Sequence, residues 1–207
     1  MSLTDVTISP LLSSLERGVL TLTMNRPEKL NGWTMEMMSA FKSAFLDAER
    51  NEEVKVIIFT GIGRYYCAGV NLGATLKLGH PARLRAQIIE HNQALFDAFL
   101  DLTKPIIIAI NGPAIGASVT SATLCDATIA AENATFSTPF ARLGIPPEGC
   151  SSVMFARLMG TTEAQRMLNQ EGWVPSAAEA LQCGLVDQVV ANDQLWIAAQ
   201  ALAQQWI

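Results

Sequence analysis

Apolar residues along the chain follow two different spacings, and the two spacings predict two kinds of element. Short runs of β-branched and other apolar residues predict strands, because a strand that is covered on both faces is apolar throughout. Apolar residues at intervals of three and four predict amphipathic helices. The predicted strands cover residues 19–24, 54–60, 105–110, 126–131, 134–137 and 186–190. The predicted helices cover 34–49 (capped by Thr34), 82–102, 116–124, 149–158, 162–169, 177–183 and 193–207.

Strands that alternate with helices predict an α/β fold with a largely parallel sheet. The chain has 207 residues, of which 50% are hydrophobic and 16% are charged. The apolar share is above, and the charged share below, the values typical of soluble domains. This excess indicates buried parallel strands, a subunit interface, or both. The length fits one domain with at most a short appendage.

Charge and cysteine content limit which ligands and partners we expect the protein to bind. The net charge is −5 without a basic cluster, which argues against nucleic acid and anionic membranes. Two histidines and four separated cysteines, with no C-x-x-C pair, argue against a metal site. No signal peptide is recognised and no apolar run reaches about 20 residues, so we expect a soluble cytoplasmic protein. We expect reduced core residues at all four cysteines: Cys67, Cys125, Cys150 and Cys183.

Two glycine-rich turns follow predicted strands. The turn 111–120 passes through Gly112 and Gly116 into a helix, and the turn 67–72 follows the strand 54–60. A strand, a tight turn and a helix start together leave backbone N–H groups unpaired and pointing outward. Such groups stabilise an anion without a charged side chain. The two turns therefore predict an oxyanion hole with two backbone donors.

Glu148 follows two prolines and precedes Gly149, where a short helix is predicted to begin. A carboxylate at a helix start is often only a cap. The alternative interpretation is a general base, because a carboxylate in an apolar pocket has a raised pKa that suits proton transfer. Apolar residues on both sides would form that pocket: Phe140, Leu143, Ile145, Val153, Met154 and Phe155.

Other motifs carry weaker signals. The sequence G-I-G at 61–63 begins like a dinucleotide fingerprint but has Tyr66 in place of the third glycine, so we interpret it as the end of a strand. Ser118 does not lie in a G-x-S-x-G elbow. His91 lies on the apolar stripe of the helix 82–102 and is interpreted as a core or interface residue. A Ser-His-Asp triad is therefore disfavoured.

Six blocks, in this order along the chain, resemble the crotonase superfamily, also called the enoyl-CoA hydratase/isomerase family. The blocks are 18–31, 54–61, 66–72, 104–126, 135–152 and 177–190. The resemblance implies an α/β spiral of β-β-α units with largely parallel sheets, then C-terminal helices, and assembly as a homotrimer or a dimer of trimers. It assigns residues 1–190 to the spiral core and 191–207 to the start of the helical region, with further helices expected beyond the last residue.

The resemblance also implies where an acyl-CoA substrate binds. Its thioester oxygen would lie between the backbone N–H groups of Val70 and Ala117. Gly69 and Gly116 would let the ligand approach the backbone closely. No metal, nucleotide or redox cofactor is implied.

The CoA moiety is expected to follow the first turn. Lys29 matches a position that often meets the CoA phosphates, although a solvated loop lysine is the alternative interpretation. Asn71 stands where many relatives have aspartate, which we interpret as tuning of the site. The expected CoA-binding residues are Lys29, Ala68, Gly69, Asn71, Leu72 and Gly116.

Both catalytic glutamates of the hydratases are absent by motif position. This chain has Thr120 in the helix after the second turn and Phe140 after the following strand. Water addition needs a base and an acid, so ordinary hydration is disfavoured. Glu148 remains, in a block P-P-E-G-C-S-S that resembles the peroxisomal type of Δ3,Δ2-enoyl-CoA isomerase, where a glutamate shuttles the proton. Chromodomain Y-like proteins carry a similar block.

The sequence therefore predicts an isomerase of fatty acid metabolism that shifts the double bond of a 3-enoyl-CoA through Glu148. A eukaryotic source would add the peroxisome as a compartment. Other acyl-CoA chemistry, as a hydratase or thioester hydrolase, is the first alternative. The others are an acyl-CoA-binding protein without catalysis and a serine hydrolase on a similar spiral fold that would use Ser118.

Overall fold

The computed structural model describes residues 9–71, 73, 79–169 and 172–207. Within these ranges the strands are β1 (Leu11–Glu16), β2 (Val19–Met24), β3 (Val56–Gly61), β4 (Ile106–Ile110), β5 (Ala114–Ile115), β6 (Ala127–Ala131), β7 (Phe136–Ser137) and β8 (Gln188–Val190). The α-helices are α1 (Met35–Arg50), α2 (Pro81–Leu100), α3 (Ala117–Ala122), α4 (Phe140–Leu143), α5 (Ser151–Leu168), α6 (Ala177–Cys183) and α7 (Leu195–Gln205). Short 3₁₀ turns occupy Pro27–Lys29 and Asn192–Gln194.

Six strands form the main sheet, in the order β1-β2-β3-β4-β6-β8. β1 pairs antiparallel with β2, and the other neighbouring pairs are parallel. β4 and β6 are buried along their whole length, as expected for strands covered on both faces. A second, two-stranded parallel sheet joins β5 to β7. The glycine turns lie beside this small sheet.

The main sheet separates two hydrophobic clusters. The larger cluster packs α1, α2, α3, α5 and α6 against one face of the sheet. In it, the Phe41 ring is edge-on to the rings of Trp33 and Phe59, at centroid distances of 5.2 and 5.0 Å. On the other face, α7 buries Leu195, Ala199 and Ala203 against the strands. These three residues recur every four positions, which places them on one side of the helix. Residues 191–207 therefore share a core with the sheet, and the domain boundary at 190 stays a prediction.

The predicted α/β fold with a largely parallel sheet is confirmed. The predicted cap is confirmed as well, since the Thr34 hydroxyl accepts a hydrogen bond from the Met37 N–H at 3.4 Å. β1 was not predicted because only Leu11 is buried in it, so the strand has no apolar run. The two helices predicted at 149–158 and 162–169 are confirmed as two helical segments of α5, separated at Gly160, whose φ of 81° and ψ of 164° are not helical.

The loop predicted at 75–81 lies largely outside the described residues, which omit 72 and 74–78. Its last residue, Pro81, is the first residue of α2. Pro81 fits there because the first turn of a helix needs no N–H donor. The His80 ring caps the helix by accepting a hydrogen bond from the Ala82 N–H at 3.3 Å.

Candidate functional site

The first glycine turn, at residues 67–71, runs between two other segments of the chain. Two of its N–H groups donate to carbonyls of segment 30–33 at 2.9 and 2.8 Å. On the opposite side, Cys67 donates to segment 113–115 at 3.3 Å and accepts from it at 2.9 Å. Backbone bonds on both sides therefore fix the turn, whatever its side chains are.

Val70 is the residue of this turn whose backbone N–H donates to no described residue. The N–H groups of Ala68 and Asn71 donate to backbone carbonyls, and so does that of Cys67. The Gly69 N–H is close to the Cys67 sulfur, at 3.2 Å. None of the hydrogen bonds between described residues uses the Val70 N–H. This is the first of the two amides that the family resemblance assigned to the substrate oxygen.

The second turn enters α3 through Gly116, whose φ of 63° favours glycine. Its N–H donates to the Ser137 carbonyl at 2.7 Å, while its own carbonyl accepts from two amides inside α3. Ala117 is the first residue of the helix, and no hydrogen bond between described residues uses its N–H. A Cβ on Gly116 would have no atom within 4 Å, so the space beside the turn is open.

The two turns pack against each other. A parallel bridge joins them, and a Cβ on Gly69 would lie 2.8 Å from the Ile115 carbonyl oxygen. Gly69 also has a φ of 85°. Glycine is therefore required at this position, both for the backbone conformation and for the close approach. The segments that carry the amides of Val70 and Ala117 are neighbours as a result.

Ser118 links the same two turns and is fully buried. Its hydroxyl accepts from the Ile115 N–H at 3.1 Å and contacts the carbonyls of Ile115 and Cys67 at 3.0 and 3.4 Å. Among the described residues it contacts neither histidine, since His80 caps α2 and His91 is exposed. These bonds give Ser118 a structural role in joining the turns, and they do not support the serine hydrolase alternative.

His91 is not a core residue, and its assignment to an interface stays a prediction. His91 is exposed, and its ring lies near the Gln87 carbonyl one turn earlier in the same helix. The apolar stripe of α2 is buried only in its second half, at Leu95, Phe96 and Phe99. The periodicity identified the helix correctly but could not locate where along its length the core ends.

Glu148 is half-buried and held by a residue from a distant helix. The Asn92 side-chain amide of α2 donates to the Glu148 carboxylate at 2.9 Å. Burial raises the pKa of this carboxyl above its ordinary value, and the Asn92 hydrogen bond partly opposes the rise. The interpretation as a helix cap was wrong, because α5 begins at Ser151 without a side-chain cap. Only the Glu148 carbonyl meets that helix, accepting from the Ser151 hydroxyl at 2.7 Å.

At Gly149, the backbone next to Glu148 packs closely against α2 and α3. A Cβ on Gly149 would lie 2.3 Å from the Thr120 hydroxyl and 2.5 Å from the Phe96 ring. Thr120 belongs to α3 and its hydroxyl donates to the Ala117 carbonyl at 3.2 Å. The backbone next to Glu148 is therefore about one helical turn from the second amide.

Thr120 and Phe140 are both buried, with 0% and 2% of their surface exposed. These are the positions where the family resemblance places the two glutamates of hydratases. Neither side chain has a carboxyl group that could act as acid or base in the addition of water. Glu148 carries a carboxyl group, and the backbone next to it, at Gly149, lies against Thr120 of α3.

The apolar pocket predicted around Glu148 is only partly present. Phe140 and Phe155 are buried as predicted, and Met154 is half-buried. The other three are exposed: Leu143 by 54%, Ile145 by 36% and Val153 by 48%. Asn92 instead bonds to Glu148 and Phe96 packs against the neighbouring Gly149, and sequence reasoning missed both contacts. They belong to a correctly predicted helix, but their contact with a segment more than 50 residues away is tertiary information.

The predicted CoA residues surround the first turn. Lys29 is exposed at the end of a 3₁₀ turn, and the next residue, Leu30, accepts a hydrogen bond from the Ala68 N–H at 2.9 Å. Asn71 is exposed, with its N–H bonded to the backbone. Leu72 lies outside the described residues. The role of these residues in CoA binding stays a prediction.

The cysteines divide between core and surface. Cys67 is buried, and burial raises the pKa of its thiol to about 12. Cys125 and Cys183 are half-buried, whereas Cys150 is exposed, so its assignment to the core was wrong. All four thiols are free. Cys150 is the N-cap residue of α5 and has a left-handed φ of 62°.

Two cavities, of about 230 and 310 Å³, lie in a groove between α1 and α2. They share Lys42 and Ala94, and neither is lined by Glu148, Val70 or Ala117. Within the described part of the chain, no group of three or more His, Cys, Asp or Glu side chains is arranged to hold a metal ion. The helices described are also too short or too polar to cross a membrane.

Comparison with known proteins adds a family profile and several relatives. The profile described as enoyl-CoA hydratase/isomerase matches residues 14–207. An uncharacterised protein from Caenorhabditis elegans is 40% identical over 87% of this chain and 69% of its own length. Enoyl-CoA delta isomerase 2 from Rattus norvegicus is 37% identical over 86% of this chain and 46% of its own length. Probable enoyl-CoA hydratase 1, peroxisomal, from Arabidopsis thaliana is 33% identical over 97% and 74%.

The fold is also similar to solved structures. An enoyl-CoA hydratase/isomerase from Pseudoalteromonas atlantica superimposes with a TM-score of 0.84 and 31% identity, over 95% of this chain and 75% of that chain. This chain therefore spans only part of the length of the proteins it matches, and about half of the rat isomerase.

Proposed function

Because this chain belongs to the enoyl-CoA hydratase/isomerase family, the crotonase superfamily, we propose that it isomerises a 3-enoyl-CoA to the 2-enoyl-CoA. One observation carries the proposal: half-buried Glu148 has a carboxylate that accepts from Asn92 and a raised pKa, and the neighbouring Gly149 packs against Thr120 of α3. A carboxyl group with a pKa nearer to neutrality is suited to take a proton and then return it.

In this mechanism the substrate's thioester oxygen accepts hydrogen bonds from the N–H groups of Val70 and Ala117. The Glu148 carboxylate removes a proton from C2, and the electron pair of that bond delocalises onto the thioester oxygen. The carboxyl group then delivers the proton to C4 as the electrons return, which leaves the double bond between C2 and C3. No water is added and no electron acceptor is needed.

The magnitudes are those of ordinary enzyme catalysis. Each oxyanion donor contributes about 2.7–4 kcal/mol if backbone donors behave like the measured side-chain donors. General base catalysis contributes about 10²–10⁴-fold. In the proposal, two amides that no described residue uses and one half-buried carboxyl group supply the essential parts of the reaction.

The remaining assignments follow from the family resemblance. The CoA moiety passes along the first turn, and the exposed Lys29 beside that turn meets its phosphates. The protein assembles as a trimer or a dimer of trimers and serves fatty acid metabolism, in the cytoplasm or, in a eukaryote, the peroxisome. The CoA-binding set is Lys29, Ala68, Gly69, Asn71, Leu72 and Gly116.

Hydration is the second candidate, because one relative is named a probable enoyl-CoA hydratase. The side chains of Thr120 and Phe140 oppose it. With neither hydratase glutamate present, a single carboxyl group would have to activate water and protonate the substrate at the same time.

Product analysis tests the proposal directly. The protein is incubated with a 3-enoyl-CoA and the products are separated and identified. We expect the conjugated 2-enoyl-CoA. A 3-hydroxyacyl-CoA as the first product would indicate hydration, and a free acid would indicate thioester hydrolysis. Tight CoA binding without any product would indicate a binding protein, and each of these three results would contradict the proposal.

A further inference from the structure

The loop 62–66 leads directly into the first glycine turn, and two asparagine side chains donate hydrogen bonds to its carbonyls. Both come from the segments that flank that turn. Asn31 lies in segment 30–33, and Asn111 opens the second glycine turn. The loop is thus connected to both turns by side chains as well as by the backbone.

Asn31 is fully buried and adopts a left-handed φ of 53°. Its side-chain amide donates to the carbonyls of Ile62 and Tyr65, both at 2.9 Å. Its side-chain oxygen accepts from the Arg26 N–H at 2.9 Å. Every polar group of this side chain is therefore used to hold backbone, which leaves little freedom for the loop to shift.

Asn111 holds the same loop from the other side. Its side-chain amide donates to the Gly63 carbonyl at 2.8 Å and, more weakly, to the Tyr65 carbonyl at 3.4 Å. Its side-chain oxygen is buried and has no hydrogen-bond partner among the described residues. An unpaired buried acceptor costs free energy. Among the described residues, the Asn111 side chain therefore contributes through its donor alone, and both of its bonds go to the loop.

Two glycines bring the backbones into contact around these side chains. A Cβ on Gly112 would lie 2.3 Å from the Arg64 carbonyl oxygen. A Cβ on Gly61 would lie 2.7 Å from the Tyr66 carbonyl oxygen and 2.8 Å from the Asn31 amide nitrogen. A shift of the loop cannot be absorbed locally here, so it would be passed on to Cys67 and the turn that follows.

We propose that Asn31 and Asn111 are positioning residues that set the Val70 N–H against the Ala117 N–H. The inference rests on the proposed function, since it gives these amides the role of oxyanion donors. Such donors act only when they lie about 2.7–3.1 Å from the position of the developing charge. A displacement of a donor by about 1 Å lowers the rate roughly a hundredfold, so side chains that fix the separation of the two amides affect catalysis directly.

The test uses acetoacetyl-CoA, whose enolate absorbs in the ultraviolet and whose ionisation reports the two amides without any proton shuttle by Glu148. The first variant is Asn111→Ala, because Asn111 is only half-buried. We expect kcat for a 3-enoyl-CoA to fall about tenfold to a hundredfold. We also expect a smaller change in KM and a lower enolate fraction of bound probe. The control is Ile129→Val, in the buried face under α7, which lowers thermal stability but leaves kcat and the enolate fraction unchanged.

Asn31→Asp is the second variant, because aspartate keeps the side-chain size and tolerates a left-handed φ but replaces the donor with an acceptor. A lower enolate fraction with intact CoA binding supports the proposal. A wild-type enolate fraction and kcat in either folded variant overturns it while the isomerase function stands. Wild-type protein that ionises the probe but isomerises nothing would instead reject the proposed function and leave the positioning role intact.

Discussion

The glycine turn at 67–71 and the segment that carries Glu148 are built in different ways. Backbone hydrogen bonds on both sides hold the turn, and every N–H except that of Val70 has a partner. Glu148 instead depends on one side-chain bond from Asn92 and on the close packing of Gly149. The comparison indicates that the proposed donors are rigid and insensitive to side-chain identity, whereas the proposed base is tuned by its neighbours and is easier to perturb.

Among the changes in backbone packing, the largest effect is expected from breaking the turn. Gly69→Ala places a Cβ 2.8 Å from the Ile115 carbonyl oxygen at a φ of 85°, so the two turns must separate. We predict a loss of kcat of about 10²–10³-fold, the scale of losing one oxyanion donor. Steady-state kinetics with a 3-enoyl-CoA measure it. Gly160→Ala is the matched control, since its φ is 81° and its Cβ would meet no atom within 4 Å. Equal losses in both variants would mean that backbone strain alone is responsible.

A smaller effect is expected from displacing the base. Gly149→Ala drives a Cβ into the Thr120 hydroxyl and the Phe96 ring. The Glu148 backbone must move away from α3, and we predict a fall in kcat of about tenfold to a hundredfold with CoA affinity retained. Gly184→Ala makes a similar clash, 2.8 Å from the Leu158 carbonyl oxygen, away from the site. Its kcat should stay near wild type, and a comparable loss there would remove the argument for Gly149.

Removing the hydrogen bond to the base tests how its pKa is set. The Asn92 amide stabilises the charged carboxylate, so Asn92→Ala should raise the pKa of Glu148 further. A base acts when deprotonated, so the acid limb of the pH–rate profile should move to higher pH. At neutral pH we expect a loss of about threefold to tenfold, the scale of one hydrogen bond, that is recovered at higher pH. The exposed Asn133→Ala is the control. An unshifted pH–rate profile would show that Asn92 does not influence the pKa of the catalytic base.

The smallest effect concerns stability. Since burial raises the pKa of Glu148, the folded state binds a proton more tightly than the unfolded state does. Ionisation of this carboxyl therefore lowers stability as the pH rises through the raised pKa. Glu148→Gln should be more stable than wild type above that range, by up to about 1 kcal/mol, and equal to it below the ordinary glutamate pKa. Denaturant unfolding at the two pH values measures the difference, and a less stable variant at high pH would contradict the account.

The same contrast explains what the sequence could predict. The turns were located because a strand followed by Gly69 or Gly116 is a local pattern with a fixed backbone consequence. Glu148 was located by its motif, but its neighbours were not. Asn92 and Phe96 approach it from α2 only once the chain has folded.

Burial within elements was also hard to predict. Leu143, Ile145 and Val153 are apolar and near Glu148 in sequence, yet all three are exposed. β1 and β5 were missed because the first has one buried residue and the second is two residues long. Sequence periodicity reports an amphipathic element, whereas the packing partner of each side chain depends on tertiary contacts.

The most direct measurement compares wild type with Glu148→Gln and the exposed control Glu52→Gln in the isomerisation of a 3-enoyl-CoA. The account predicts that Glu148→Gln binds CoA normally but loses about 10²–10⁴-fold in kcat, while Glu52→Gln behaves as wild type. Full activity in Glu148→Gln would show that the proton moves through another group, and the proposed mechanism would be wrong.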